Sequence, residues 1–203
     1  MYTDLSYRLA LIAIAGLQLA ISRRYLHGAE AGKSFAQQRA EGPLLAWSAG
    51  LFIAAYGICV FLWLLNPAWM AWAAVPLPSA FRWCGAPCMA LGAALHLWGS
   101  HHLGRNLTVT ISTRADHALI TSGPYRWVRH PLYTGGMMES LGVVLLVSSW
   151  AVAVAAVAFW VVVALRTAKE EAVLIETFGE DYREYQRRVG RFLPRWSGLK
   201  NTG

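Results

Sequence analysis

Charged side chains are scarce in this sequence: Asp, Glu, Lys and Arg make up 14% of its 203 residues, against roughly a quarter in an ordinary soluble domain. So few charges cannot cover the surface of a soluble domain of this length, so lipid must cover much of it. Cysteine is also sparse. The 3 cysteines, Cys59, Cys84 and Cys88, rule out a disulfide scaffold; they lie in apolar stretches, read as buried packing thiols, and suggest no metal site. There is no glycine period, which excludes a collagen-like fibre, and the chain is too apolar to be disordered. What it has in abundance is hydrophobic residues, 56% of the total, with 10 Trp among them.

A membrane-crossing helix needs about 20 mainly apolar residues, and there is room for five. The first covers about 5–21, with Arg8 and Gln18 near its ends, where long side chains can snorkel to the interface. A cleaved signal peptide is the competing reading of this stretch, but it has no basic leading region and no small-residue cleavage site running into a soluble domain. The second span, 44–65, carries no charge. Pro67, Pro76 and Pro78 then break the apolar run into an interfacial or re-entrant segment, and a third span follows over about 81–98. From 141 to 165 the chain is again uncharged, and its helical character begins just after Pro131. One helix of that extent would be about 50 Å long, too long for a single crossing. The Ser148-Ser149-Trp150 interruption therefore reads as the turn of a helical hairpin. The fold class expected is all-α: a polytopic membrane protein of about five transmembrane helices, the last two a hairpin, with a cytoplasmic C-terminal amphipathic helix. That last helix is signalled by Val173, Phe178, Tyr182, Tyr185 and Val189 recurring at three- to five-residue steps among charges, with Gly179 as a pause.

The basic residues set the orientation. Arg23, Arg24, Lys33 and Arg39 lie in one connection, Arg105, Arg114, Arg126 and Arg129 in another, and the densest group follows Leu165; with five spans these share a side. By the positive-inside rule that side is cytoplasmic and the N-terminus is outside. The formal charge of +7 then reflects contact with anionic membrane lipids rather than a nucleic-acid partner. Two regions are expected, residues 1–100 with three spans and residues 101–203 with the chemistry.

The chemistry is expected in the polar segment "HHLGRNLTVTISTRADHALITSGPYRWVRHPLYTGG", because a long polar connection in an apolar chain is usually functional when it is not disordered. It ends in Arg129-His130-Pro131, with the proline in the first turn of the next helix, where a missing N–H costs nothing. "SGPYRWVRHPLYTG", the hairpin, and then "LRTAKEEAVLIETFGEDYREYQRRVGRFLP" resemble the isoprenylcysteine carboxyl methyltransferase family of integral-membrane enzymes, whose relatives include phospholipid N-methyltransferases. The resemblance covers about the last hundred residues.

The resemblance implies S-adenosyl-L-methionine as cofactor, with S-adenosyl-L-homocysteine as product, bound at the cytoplasmic membrane face. It assigns cofactor contact to His117, Ala118, Leu119 and Ile120, to Tyr125, His130, Pro131, Leu132 and Tyr133, and to Glu170. Arg166 matches the arginine implicated with substrate, so Arg166, Glu170 and His130 form the catalytic set. Thr110 stands where eukaryotic members carry a cofactor-touching glutamine.

These residue types suit the chemistry. A cationic sulfonium bearing an α-amino and an α-carboxylate group wants a carboxylate, hydrogen-bond donors and an aromatic wall, and Glu170, His130, Tyr133 and Tyr125 supply them. A carboxylate acceptor is already ionised at neutral pH, so its methylation needs alignment and exclusion of water more than a base. Arg166 would hold that carboxylate. An amine acceptor would need a proton acceptor, with Glu171 or His130 nearest. The acceptor expected is a prenylated or other lipophilic carboxylic acid entering from the bilayer. The alternatives are an amine-headed phospholipid, or a nicotinamide-dependent reductase relative or non-catalytic membrane protein. Without the resemblance, Glu170 and Glu171 read as a solvated helix face, Arg166 as a snorkelling anchor, and Tyr182 and Tyr185 as packing residues. His96, His101 and His102 lack a recognisable ligand spacing. Glu139, about two turns into the fourth span, suggests a substrate tunnel, since intramembrane acids tend to face cavities.

Overall fold

The structure is a computed structural model that describes residues 2–26, 43–103 and 119–195. These residues are almost wholly helical. α1 covers Tyr2–Leu26 and α2 Pro43–Leu65. A 3₁₀ segment, Pro67–Ala73, is opened by Asn66, whose side chain accepts a hydrogen bond from the Ala68 amide. Then come α3, Ser79–Trp83, and α4, Gly85–Leu103, which replace the single third span expected over 81–98. After a second 3₁₀ turn, Gly123–Arg126, come α5, Pro131–Val147, α6, Trp150–Phe178, and the short α7, Glu180–Arg188.

The expected hairpin turn sits at Ser148-Ser149. Ser148 adopts a left-handed conformation with φ of 58°, closing α5 onto its own Val144 carbonyl. Its hydroxyl donates to the Val75 carbonyl at 2.6 Å, and its own carbonyl accepts from the Val75 amide at 2.8 Å. The proline-rich segment after α2 is thereby tied to the turn. Gly179, also at φ 58°, makes the break between α6 and α7.

Asp4–Arg23, Trp47–Leu65 and Trp150–Phe178 are long and apolar enough to cross a membrane, and Pro131–Val147 is apolar but shorter. Many large hydrophobic side chains point outward along them, including Leu17, Leu51, Phe61 and Val157, as expected of helices whose solvent is lipid. α6 is longer than one crossing requires. Its 29 residues rise about 44 Å, its apolar run ends at Leu165, and the turns from Arg166 onward are polar.

α4 and α5 form the closest helix pair, and glycine makes that closeness possible. A Cβ on Gly92 would lie 2.6 Å from the Gly135 carbonyl oxygen, and one on Gly135 would lie 2.7 Å from that of Gly92. Seven residues along each helix the arrangement repeats: Gly85 faces Gly142, where a Cβ on Gly142 would come within 2.5 Å of the Gly85 oxygen. Small residues at this spacing let two backbones touch where the driving force is packing rather than escape from water.

Two readings of the sequence need correction. The cysteines are not buried packing thiols: Cys84 is exposed and Cys59 and Cys88 are only partly covered, because in a lipid-facing helix an apolar neighbourhood does not imply burial. Gln18 is not an interfacial anchor. Its amide donates to Glu139 Oε1 at 2.8 Å, joining α1 to α5.

Gly92→Leu should force α4 and α5 apart and leave little folded protein, a cost of about 3 kcal/mol, whereas Gly57→Ala, where a side chain meets nothing, should leave melting unchanged or slightly higher. Thermal unfolding in detergent, monitored by size-exclusion chromatography, checks both.

Candidate functional site

The start of α5 and the polar end of α6 bring the expected site residues together. Pro131 occupies the first turn of α5, and His130 immediately precedes it, with its backbone outside the helix. One turn on, Tyr133 donates its hydroxyl to Glu170 Oε2 at 3.0 Å. The His130 ring, 7% exposed, stacks on Tyr133 with centroids 5.6 Å apart and lies 6.0 Å from Phe192. Tyr133, Glu170 and His130 thus form one surface across the two helices.

Beneath that surface lies Glu171, which sequence reasoning left as a solvated residue or a base. It is only 3% exposed. Arg129 reaches Oε1 through Nε at 2.9 Å and Nη2 at 2.8 Å, and His130 Nε2 lies 3.1 Å from the same oxygen. Arg191 reaches Oε2 through Nε at 3.1 Å and Nη2 at 2.5 Å, and the Gln186 amide reaches it at 3.3 Å. Burial by itself raises the pKa of this carboxyl, but the hydrogen bonds from His130, Arg191 and Arg129 overturn that and hold it at about 2, below its ordinary 4.5. An ionised carboxylate accepts only, so His130 carries its proton on Nε2, and Nδ1 remains the nitrogen free to accept when the ring is neutral.

The C-terminal chain closes the arrangement. The Arg129 amide donates to the Gly190 carbonyl at 2.8 Å and that of His130 to Arg191 at 3.1 Å, while the Thr134 hydroxyl reaches the Phe192 carbonyl at 2.9 Å. Arg129 also donates to the Val189 carbonyl. Residues 189–192 therefore run alongside 128–130 and seal the entrance to α5.

Residues 85–176 match the family model of isoprenylcysteine carboxyl methyltransferases. Over these residues the chain is similar to the isoprenylcysteine carboxyl methyltransferase family. It is similar to a protein-S-isoprenylcysteine O-methyltransferase of Dictyostelium discoideum, 32% identical over 136 residues, which cover 64% of this chain and 55% of that protein. It is also similar to one of Mus musculus, 42% identical over 94 residues, covering 45% and 33%. The chain thus spans about half the length of the first relative and a third of the second. The solved structure of a eukaryotic intramembrane Ras methyltransferase, isoprenylcysteine carboxyl methyltransferase, shares the fold: TM-score 0.54 at 22% identity, covering 96% of this chain and 72% of that one.

Within this matched segment the remaining expected residues are placed as follows. Tyr125 is buried; its hydroxyl points to the Gly99 carbonyl at 3.5 Å, and its own carbonyl accepts the Tyr185 hydroxyl at 2.5 Å. Burial, with Tyr185 and Glu170 nearby, pushes its ionisation up, so it acts as a neutral donor. Pro131 and Leu132 pack where Gly99 leaves room on α4. Leu119 packs with Phe178 against the buried cluster of Tyr182, Tyr185 and Val189, consistent with packing roles for the two tyrosines; Ile120 is half-buried. Arg166 is half-buried one turn before Glu170, with its Nε inside the protein. His117, Ala118 and Thr110 lie outside the described residues.

Sequence reasoning missed Arg129, Gln186 and Arg191 as a set. The available signal was the glutamate pair itself: one of two adjacent helical acids must turn inward when its neighbour faces a site, and a buried acid needs cations.

Glu171→Gln should destabilise the protein by roughly 3–5 kcal/mol, because it leaves Arg129 without its counter-charge. The folded pKa lies below the unfolded one, so the carboxylate's stabilisation is complete above about pH 4.5 and is lost as the pH falls towards 2. Melting temperatures of the wild type and Glu171→Gln, measured across that range, should converge at the acid end; a constant gap would contradict the assignment.

Proposed function

We propose that this chain is an integral-membrane S-adenosyl-L-methionine-dependent methyltransferase that esterifies the carboxylate of a prenylated or other lipophilic acceptor. The observation that carries the reading is the Tyr133–Glu170 contact beside buried His130, inside the segment that matches the family. The names of the relatives, protein-S-isoprenylcysteine O-methyltransferases, support the acceptor class. In this reading five helices, α1, α2, α4, α5 and α6, cross the bilayer. The N-terminus is outside, and the polar end of α6, the site and α7 face the cytoplasm, in line with the distribution of basic residues.

The residues fit the cofactor. Glu170 has one oxygen engaged by Tyr133, and its other oxygen, Oε1, would take an ammonium or hydroxyl donor of the cofactor. The stacked His130 and Tyr133 rings give an aromatic wall suited to a sulfonium, and the family resemblance assigns His117, Ala118, Leu119 and Ile120 to the same cofactor. When bound, the cofactor supplies an electrophilic methyl group. The protein's part is to hold the acceptor oxygen in line with it and keep water out. Arg166, at the end of the apolar part of α6, would fix the acceptor carboxylate as it arrives from the lipid.

The state of Glu171 favours a carboxylate over an amine acceptor. Methylating an amine releases a proton that a nearby base must take. Glu171, the nearest buried carboxylate, is ionised but saturated by Arg129, His130, Gln186 and Arg191, and its low pKa makes it a weak base.

Calorimetry with S-adenosyl-L-homocysteine should show binding that weakens at least tenfold in Glu170→Ala and is lost in His130→Ala. Incubation with labelled methyl donor and a prenylated cysteine, followed by base, should release labelled methanol, and Arg166→Ala should raise KM for the acceptor about tenfold. Absence of cofactor binding by the intact protein would sink the methyltransferase reading. A base-stable methyl product would sink the ester.

A further inference from the structure

The end of the bundle away from His130 holds a cavity of about 640 Å³. α5 runs from one to the other, and its 17 residues separate them by about 25 Å. Asp4 and Arg8 of α1, Trp63 of α2, Met70, Arg82 of α3 and Ser149 at the hairpin turn contribute to the walls. Exposed Trp69, Trp72 and Trp150 stand nearby in the chain, with the rings of the last two edge to face at 5.3 Å. Tryptophans in this position mark the depth of lipid head groups.

Two of the cavity's charges cancel. Arg82 holds Asp4 at 3.2 Å, spends Nε and Nη2 on the Leu146 carbonyl at 3.1 and 2.6 Å, and lies 3.9 Å over the Tyr7 ring. Arg8 is left as the cavity's net cation. Its Nη2 reaches the Leu65 carbonyl at 3.3 Å, but among the described residues its buried Nε has no hydrogen-bond partner. The Ser149 hydroxyl has none either, though the residue is 3% exposed and occupies the N-cap of α6, where a serine normally bonds the helix amides. Burying donors without acceptors is unfavourable. Two of them on one cavity, at the positive end of a long helix, call for an oxygen-rich anion. Trp63, Met70 and Val147, all buried, offer the same ligand an apolar flank.

We propose that this cavity binds the phosphate of an anionic phospholipid from the leaflet at this end of the bundle, with Arg8 and Ser149 holding its oxygens. A zwitterionic head group is disfavoured because the one carboxylate that could meet its cation, Asp4, is engaged by Arg82. The site is independent of the methyl-transfer reading.

The test uses purified protein in phosphatidylcholine nanodiscs doped with phosphatidylglycerol, with retained lipid counted by native mass spectrometry. The wild type should keep one phosphatidylglycerol with roughly tenfold preference over phosphatidylcholine. Arg8→Gln and Ser149→Ala should each remove most of that preference, and Arg187→Gln, on the exposed face of α7, should leave it intact. Ser149→Ala breaks no hydrogen bond of the fold, so it decides the matter even where Arg8→Gln does not fold. Equal retention of the two lipids by the wild type, or unchanged preference in Ser149→Ala, would overturn the proposal. So would saturation by inorganic phosphate alone in detergent with the same dependence on Arg8, which would mark a site for a free anion rather than a lipid.

Discussion

Glu171 sits where four pieces of chain meet: the approach to α5, the polar end of α6, the end of α7 and the returning segment 189–192. A carboxylate this deeply covered is normally unfavourable. Here Arg129 and His130 from the approach to α5, Gln186 from α7 and Arg191 from the returning segment saturate both oxygens. The arrangement fixes His130 in one tautomer and one orientation. It also sets the register of α6 against α5, because Glu170, the next residue toward the N-terminus, must then lie on the side where Tyr133 projects. The proposed cofactor surface therefore depends on a group that is not part of it.

That junction needs the start of α5 to be placed first, and the pairing of α4 with α5 does so. With Gly85 against Gly142 and Gly92 against Gly135, the two backbones are in contact over one heptad. Continuing the same face of α4 by one more heptad reaches Gly99, whose missing side chain receives Pro131 and Leu132 and whose carbonyl faces the Tyr125 hydroxyl. Packing inside the apolar layer is thus converted into a defined position for residues at its edge.

Much of this was legible in the sequence because it depends on local signals. Length and apolarity fixed α2 and the hairpin, the Ser148-Ser149 interruption gave the turn, and Arg-His-Pro gave the start of α5. The resemblance selected His130, Tyr133 and Glu170, which the structure brings together. The rest depends on relations between distant segments. Which of Glu170 and Glu171 turns inward follows from where Arg129 and Arg191 arrive, 42 and 20 residues away. The glycines at 85, 92 and 99 and at 135 and 142 have a visible spacing of seven, but only the partner helix gives it meaning. Cys84, in the turn between α3 and α4, misled because apolar surroundings at a lipid-facing surface are the solvent and not the core.

Glu139 tests the same logic inside the apolar layer. An acid nine residues into α5 is costly in hydrocarbon unless partners accompany it, and they come from two other helices: Gln18 of α1 at 2.8 Å and His96 of α4 at 3.6 Å. The next residue, Ser140, accepts the indole N–H of Trp160 from α6 at 3.0 Å. These contacts explain why α1, the least apolar of the long helices, packs with the others. Its apolar face alone would gain little by leaving lipid for protein, since both are equally dry. A hydrogen bond to an acid that otherwise has too few partners is a specific gain that lipid cannot match, so the residue that looked like a tunnel marker in the sequence acts in the structure as the attachment point for the first helix.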